Sequence, residues 1–156
     1  MDTLLIRQYR ASDREEVFDL HARALKSADA YMYTGIWEKD FDDIEGIYLK
    51  NRGEFLVGTI DGRIMAMGAL RKMTEDIVEI RRMRIDPAFQ RRGFGQMILF
   101  VLEKRAKELG YKIIQLNTSA KQIPAQKFYE KNGYTLIRRE KEGWIVDNIV
   151  YQKKIV

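Results

Sequence analysis

Residues 90–96 read QRRGFGQ, two arginines and two glycines between a strand-like run that ends near Ile85 and a helix-like run that begins near Met97. A loop that feeds a helix offers several N–H groups at the positive end of the helix dipole, and glycine lets an anion approach the backbone closely. A phosphate suits that position. The stretch is not a Walker loop, which needs GxxxxGK followed by Ser or Thr, and the dinucleotide fingerprint GxGxxG would need glycine where Ile98 stands. What remains is QxxGxG, carried by Gln90, Gly93 and Gly95, a pattern that by itself also fits an ordinary turn. Arg91 and Arg92 are placed either to meet phosphates or to stay solvated.

Composition narrows the remaining chemistry. With no cysteine there is no disulfide, thiolate zinc site or cysteine nucleophile, and with His21 as the one histidine no metal site is expected. The net charge of +5 favours a polyanionic partner, a nucleic acid or a phosphorylated cofactor, without choosing between them. Basic residues are scattered and no aromatic-basic stacking motif stands out, so nucleic acid is disfavoured. The 156 residues suit one domain, 1–156, and no apolar run is long enough to span a bilayer, so no membrane partner is expected. MDTLLIRQYR does not read as a signal peptide, which points to a cytoplasmic location.

The elements that must position the loop follow from periodicity. LLIRQY reads as an opening strand, and Ser12 or Asp13 caps a helix with the stripe Val17, Leu20, His21, Ala24 and Leu25. His21 on that stripe reads as a core residue. A second helix is expected over residues 40–49, with Phe41, Ile44 and Tyr48 on one face. FLVGTI and IMAMGALRKM flank Asp61-Gly62, the pair that suits a type I′ hairpin. In IVEIRRMRID the apolar alternation slips by one residue, from Val78 and Ile80 to Met83 and Ile85, which predicts a β-bulge at Arg81-Arg82. Met97, Ile98, Val101, Leu102, Ala106 and Leu109 then make an amphipathic helix that stops at Gly110. A strand follows at YKIIQLNT, a helix begins at Pro124, and YTLIRR and IVDNIVYQKKI close the sheet as an antiparallel pair. Residues 77–118 form a strand-helix-strand unit, for which a parallel crossover is expected.

In this context RMRIDPAFQRRGFGQMIL resembles the acetyl-CoA motif of the GNAT superfamily of N-acetyltransferases, with Gln90, Gly93 and Gly95 matching it directly. PAQKFYEKNGY resembles that family's later helix-and-strand segment through Ala125, Tyr129 and Gly133. The resemblance implies an α+β (α/β) GNAT fold: a mixed, mostly antiparallel sheet of about six to seven strands, a parallel βαβ acetyl-CoA unit and flanking helices. It implies an enzyme that transfers acetyl from acetyl-CoA to an amine-bearing acceptor by direct attack in a ternary complex. A non-catalytic acyl-CoA-binding or sensing module is the alternative, and it would keep the loop without needing Tyr129. Oligomeric state stays open, a homodimer among the options.

The resemblance also assigns residues. Amides of Arg91, Arg92, Gly93, Phe94, Gly95 and Gln96 would hold the cofactor pyrophosphate after Gln90. The backbone at Met83, Arg84 and Ile85 would pair with the pantetheine arm like a neighbouring strand. Tyr129 stands where the family carries the general acid for the departing thiolate, although its spacing alone reads as a core aromatic. Glu79 stands where one branch carries its general base; an ordered water or a salt-bridged strand role are the alternatives. Gln122 replaces the asparagine many members have, and Asn117 with Thr118 is a substitute for that cofactor contact. Over the acceptor, Tyr31, Tyr33 and Trp37 would form an aromatic wall. Glu38, Asp40, Asp42, Asp43 and Glu45 would draw in a cationic amine, unless these residues serve packing and helix N-terminal electrostatics.

Overall fold

The computed structural model describes residues 3–27, 36–142 and 146–156. Seven strands form one sheet: β1 (Leu5–Gln8), β2 (Glu54–Ile60), β3 (Arg63–Lys72), β4 (Ile77–Ile85), β5 (Ile113–Ser119), β6 (Thr135–Glu142) and β7 (Val146–Lys154). Three α-helices accompany them: α1 (Arg14–Ser27), α2 (Phe94–Glu108) and α3 (Ile123–Lys131). The strand order is β1-β2-β3-β4-β5-β7-β6, with every neighbour antiparallel except β4 and β5. β7 therefore returns between β5 and β6, and the expected antiparallel closing pair is present.

The β2–β3 hairpin turns at Asp61 and Gly62, with φ of 51° and 80°, the double positive φ that a type I′ turn needs. β4 is joined to β5 through α2, as its parallel partner requires. The expected bulge is present. Ala69 pairs with Arg81 and Met67 with Arg84, so the single residue Gly68 faces both Arg82 and Met83, and Arg82 takes a left-handed φ of 57°. Gly68 has a packing reason as well: a Cβ there would lie 2.7 Å from Ile98 of α2 and from the Met83 sulfur.

The apolar residues sort onto two faces of the sheet. Val78, Ile80, Ile98, Leu99, Leu102, Tyr129 and Tyr134 belong to the core under α2 and α3. Val17, Leu20, Phe41, Ile44, Tyr48 and Phe55 belong to the core under α1. Each fully buried aliphatic side chain, such as Leu102, contributes about 1.5–3 kcal/mol relative to exposure. On α2 the buried set is Phe94, Ile98, Leu99, Leu102 and Ala106; Met97, expected on the stripe, is exposed, because the stripe is rotated toward Leu99.

The helix expected over residues 40–49 is instead a 3-10 helix, Ile36–Asp42, followed by one π-helical turn, Glu45–Leu49. Phe41, Ile44 and Tyr48 are buried as expected, but the backbone between them is not one α-helix. Asp43 explains part of the break: its side chain accepts from the Gly46 N–H at 3.0 Å and its carbonyl from Ile47 at 2.9 Å.

Candidate active site

β4 and β5 pair at only three positions, Ile77 with Ile113, Val78 with Ile114 and Glu79 with Gln115. Beyond Glu79 the two strands separate. β5 continues to pair with β7 as far as Ser119, and β4 continues to pair with β3 as far as Ile85. A wedge thus opens in the sheet, walled by residues 80–85 on one side and 116–119 on the other.

The bulge decides which side chains face each way from the first wall. Val78 and Ile80 pack toward α2, and by alternation Glu79 and Arg81 face α1. The inserted residue resets the alternation, so Met83 and Ile85 again pack toward α2 while Arg82 and Arg84 turn to the α1 side. Holding a non-glycine residue left-handed costs about 1–2 kcal/mol. The contacts of Arg82 offset this: its guanidinium binds both oxygens of Asp40, Nε to Oδ2 at 2.9 Å and Nη2 to Oδ1 at 2.5 Å, and lies 4.9 Å from the Phe41 ring centre. Tyr48 donates to the same Asp40 at 2.5 Å. Despite burial, these hydrogen bonds hold the Asp40 carboxyl below its ordinary range.

Glu79 sits at the apex of the wedge. Burial raises its pKa, against the pull of Arg81, Arg71 and Arg82; Arg81 Nε lies 3.6 Å from its carboxylate. Arg84 donates from Nη1 to the Met83 carbonyl at 2.8 Å and from Nε to His21 Nδ1 at 3.4 Å. Burial, Arg82 and Arg81 together push its pKa down to about 10. His21, pushed down to about 3 by burial and by Arg84 and Arg82, is neutral and accepts through Nδ1.

Tyr129 comes from the other face. α3 starts with Pro124 in its first turn and buries Tyr129 edge-on against Phe128 and Tyr134, at centroid distances of 5.1 and 5.5 Å. Its hydroxyl has no hydrogen-bond partner among the described residues. Burial raises the phenol to about 12, while the charge of Arg84 acts across the wedge to lower it.

The glycine loop closes the far end. Asp86 caps a 3-10 turn, Pro87–Phe89, by accepting from Ala88 at 2.9 Å. The chain is left-handed at Arg91 (φ 63°) and at Gly93 (φ 82°), and α2 begins at Phe94. The first hydrogen bond of α2 runs from Met97 N to Gly93 O at 3.1 Å, so the amides of Phe94, Gly95 and Gln96 point out of the helix end. Gly95 is helical, and a Cβ built on it meets no protein atom closer than 3.9 Å, Ile85 and Phe128 being nearest. Nothing in the protein requires glycine at 95, and the space it leaves lies at the N-terminus of α2, a position that suits an anion.

A profile described as the Acetyltransferase (GNAT) family matches residues 14–134. The chain belongs to the GNAT family. Among curated relatives, N-acetylaspartate synthetase of Xenopus tropicalis is 34% identical over 97 residues, covering 61% of this chain and 36% of its own length. The chain thus spans about a third of the length of the first curated relatives it matches. Among solved structures, a GNAT-family acetyltransferase of Staphylococcus aureus aligns with a TM-score of 0.87 at 23% identity, covering 99% of this chain and all of the other. The PaiA N-acetyltransferase of Thermoplasma acidophilum, solved in complex with coenzyme A, aligns with a TM-score of 0.77 at 19% identity over 97% and 99% of the two chains. These likenesses establish the mixed seven-stranded GNAT fold.

Within this GNAT chain, Glu79, Met83, Arg84 and Ile85 lie on the β4 wall and Asn117 on the β5 wall, exposed. Gln90 ends the short turn before the loop, and Gln122 caps α3 without a side-chain hydrogen bond to it. Gln96 donates to Asn132 at 2.7 Å and so ties the glycine loop to the end of α3. Arg92 lies over the Phe89 ring at 4.9 Å. Tyr31 and Tyr33 lie outside the described residues, as does the side chain of Trp37. Asp40 is bound by Arg82, Asp42 pairs with Arg14 at 2.9 Å on the surface, and Asp43 accepts from the Gly46 N–H. His21, read from the sequence as core, is buried as expected, but it also holds the Arg84 side chain; a lone histidine on an apolar stripe carries no local signal of such a partner.

Proposed function

We propose that the protein is an acetyl-CoA-dependent N-acetyltransferase acting on an amine by direct attack in a ternary complex. The observation that carries this reading is the wedge between β4 and β5, opening beside the vacant position at Gly95. The GNAT fold and the CoA-bound relative support it.

The amides from Arg91 to Gln96 hold the pyrophosphate, and the β4 backbone at Met83 and Ile85 pairs with the pantetheine arm. Bound acetyl-CoA supplies the acyl group as a thioester. Glu79, made more basic by burial, takes a proton from the acceptor ammonium directly or through water. Tyr129, protonated at neutral pH, faces the departing sulfur. Curated relatives named for making N-acetylaspartate point to a small-molecule amine as acceptor.

Thiol release from acetyl-CoA across an amine panel tests the activity; CoA binding without release with any amine would leave a binding module instead. Gly95→Ala separates ligand from fold. It is expected to raise stability by up to about 1 kcal/mol through helix propensity, while filling the cradle and weakening acetyl-CoA at least about tenfold, the equivalent of 1.4 kcal/mol. Titration calorimetry and thermal melting read the two effects, and unchanged affinity would remove the pyrophosphate from this loop.

Glu79→Gln bears on both chemistry and stability. Because the folded pKa of Glu79 lies above its unfolded value, ionising it costs stability as pH rises through that interval. The variant is therefore expected to melt higher than wild type at pH 8, with the gap closing on acidification. Its kcat should lose the acidic limb that protonation of Glu79 imposes in the wild type, and an unaltered pH-rate profile would reject the role.

A further inference from the structure

Among the described residues, the charges on the α1-facing side of β4 pair off, with one exception. Arg82 is matched by Asp40, Arg81 by Glu79, and Arg23 of α1 by Asp86 at 2.9 Å. Arg84 lies among them, yet its described hydrogen bonds go only to neutral groups, the Met83 carbonyl and His21 Nδ1. Since Nδ1 accepts, His21 supplies no charge. A guanidinium has five N–H donors, and these two bonds use one of Nη1 and that of Nε. The other donors form the fork that suits a carboxylate. Arg84 remains partly exposed, and it stands on the wall of the wedge, near enough to Tyr129 that its charge favours ionisation of the phenol.

An unmatched, largely desolvated cation beside the reacting centre calls for an anion. The pyrophosphate is assigned to backbone amides of the glycine loop, next to Ile85 on the α2 side of the sheet, whereas the Arg84 side chain lies on the α1 side. We propose that Arg84 receives the carboxylate of the acceptor, and that the acceptor is a free amino acid. His21 is the positioning residue: fixed in the α1 core and neutral, it holds Nε so that the fork faces the wedge.

This proposal rests on the acetyltransferase reading. With the carboxylate seated on Arg84, the adjacent amine is directed toward Glu79, which takes its proton. The nitrogen lone pair forms the N–C bond to the acetyl carbonyl carbon, the C–S bond breaks, and its electron pair leaves on sulfur. The sulfur takes the Tyr129 proton, and the nitrogen gives up its second proton to solvent as the amide forms; of the two protons lost from the ammonium, one returns to Tyr129 through solvent and the other is released, leaving Glu79 ionised again. The products are an N-acetyl amino acid and the CoA thiol, and the Arg84–carboxylate pair is unchanged by the transfer.

Thiol release from acetyl-CoA tests the assignment on the wild-type protein with aspartate, glutamate and glycine against glycinamide, aspartate diamide, putrescine and an amidated peptide. The free acids are expected to exceed their amides in kcat/KM by at least about 30-fold, the equivalent of 2 kcal/mol for a desolvated charge pair. Arg84→Gln should bring that ratio toward one through KM while retaining acetyl-CoA affinity by calorimetry, and Arg84→Lys should restore part of it. Equal use of acid and amide, or preference for putrescine or the peptide, overturns the proposal and leaves the acetyltransferase reading standing. Loss of acetyl-CoA affinity in a folded Arg84→Gln assigns the guanidinium to the cofactor and overturns it as well. No thiol release with any amine, although CoA binds, overturns both. The acid-to-amide comparison needs no variant, so it decides even where Arg84→Gln fails to fold.

Discussion

Tyr129→Phe is expected to lower kcat by about 10²-fold or more while acetyl-CoA affinity and melting temperature hold. The substitution deletes one oxygen that bonds no described residue and leaves the ring between Phe128 and Tyr134 in place. The packing that stabilises α3 therefore survives. The phenol lies at about 12, above the roughly 8.5 of an ordinary thiol, so before reaction the proton belongs to tyrosine. What the hydroxyl offers is a hydrogen bond to sulfur that strengthens as negative charge builds there, an interaction larger in the transition state than in the ground state. The loss should accordingly fall on kcat, and no tyrosine limb should enter the pH-rate profile of the wild type below about pH 10. Stopped assays at saturating acceptor with calorimetry of CoA binding measure both, and a full wild-type kcat would return Tyr129 to a packing role.

Arg82→Met is expected to be the most destabilising single change at the site, by about 3–5 kcal/mol, because it leaves Asp40 buried without its cation. The pair is nearly sequestered, with side-chain exposures of 9% and 5%. Methionine replaces the stem but not the two charge-assisted bonds, and Tyr48 alone remains to satisfy the carboxylate. The pH dependence should also invert. In the wild type the Asp40 pKa is depressed, so its contribution is present above the unfolded value and lost as pH falls through the folded one. In the variant, burial without the arginine raises that pKa, and stability should increase as pH falls. Chemical denaturation at pH 5 and pH 8 reads the sign; a variant equal to wild type at both would mean the pair contributes nothing net.

Where the signal is local, the sequence discloses the fold. Asp61-Gly62 specifies its hairpin through two positive φ values, and the slip between Ile80 and Met83 discloses the bulge, since side-chain direction follows a period of two. The glycine loop and the Tyr129 helix are legible as motifs. The segment from residue 36 to residue 49 is not, because its apolar spacing of three then four fits an α-helix as well as the 3-10 and π turns that form. What selects those turns includes Asp40, drawn into the core by Arg82 across 42 residues, a contact no short window contains. The same holds for His21 and Arg84, 63 residues apart. Burial of His21 follows from its stripe, whereas its partner follows only from the register of α1 on β4.

The bulge also sets which mutations β4 can absorb. With Met83 and Ile85 facing one core and Arg81, Arg82 and Arg84 the other side, exchanging a single residue at 84 alters one surface and spares the other. Deleting one residue ahead of the bulge, at 79, does something different in kind: everything downstream trades faces, the arginine at 84 enters the apolar core, and the aliphatic side chains turn outward. Deleting one residue at 81–82 instead closes the bulge and leaves Val78, Ile80, Met83 and Ile85 on one face. The strand therefore behaves like a reading frame with one spare letter, open to substitution and closed to a shift anywhere but at the bulge.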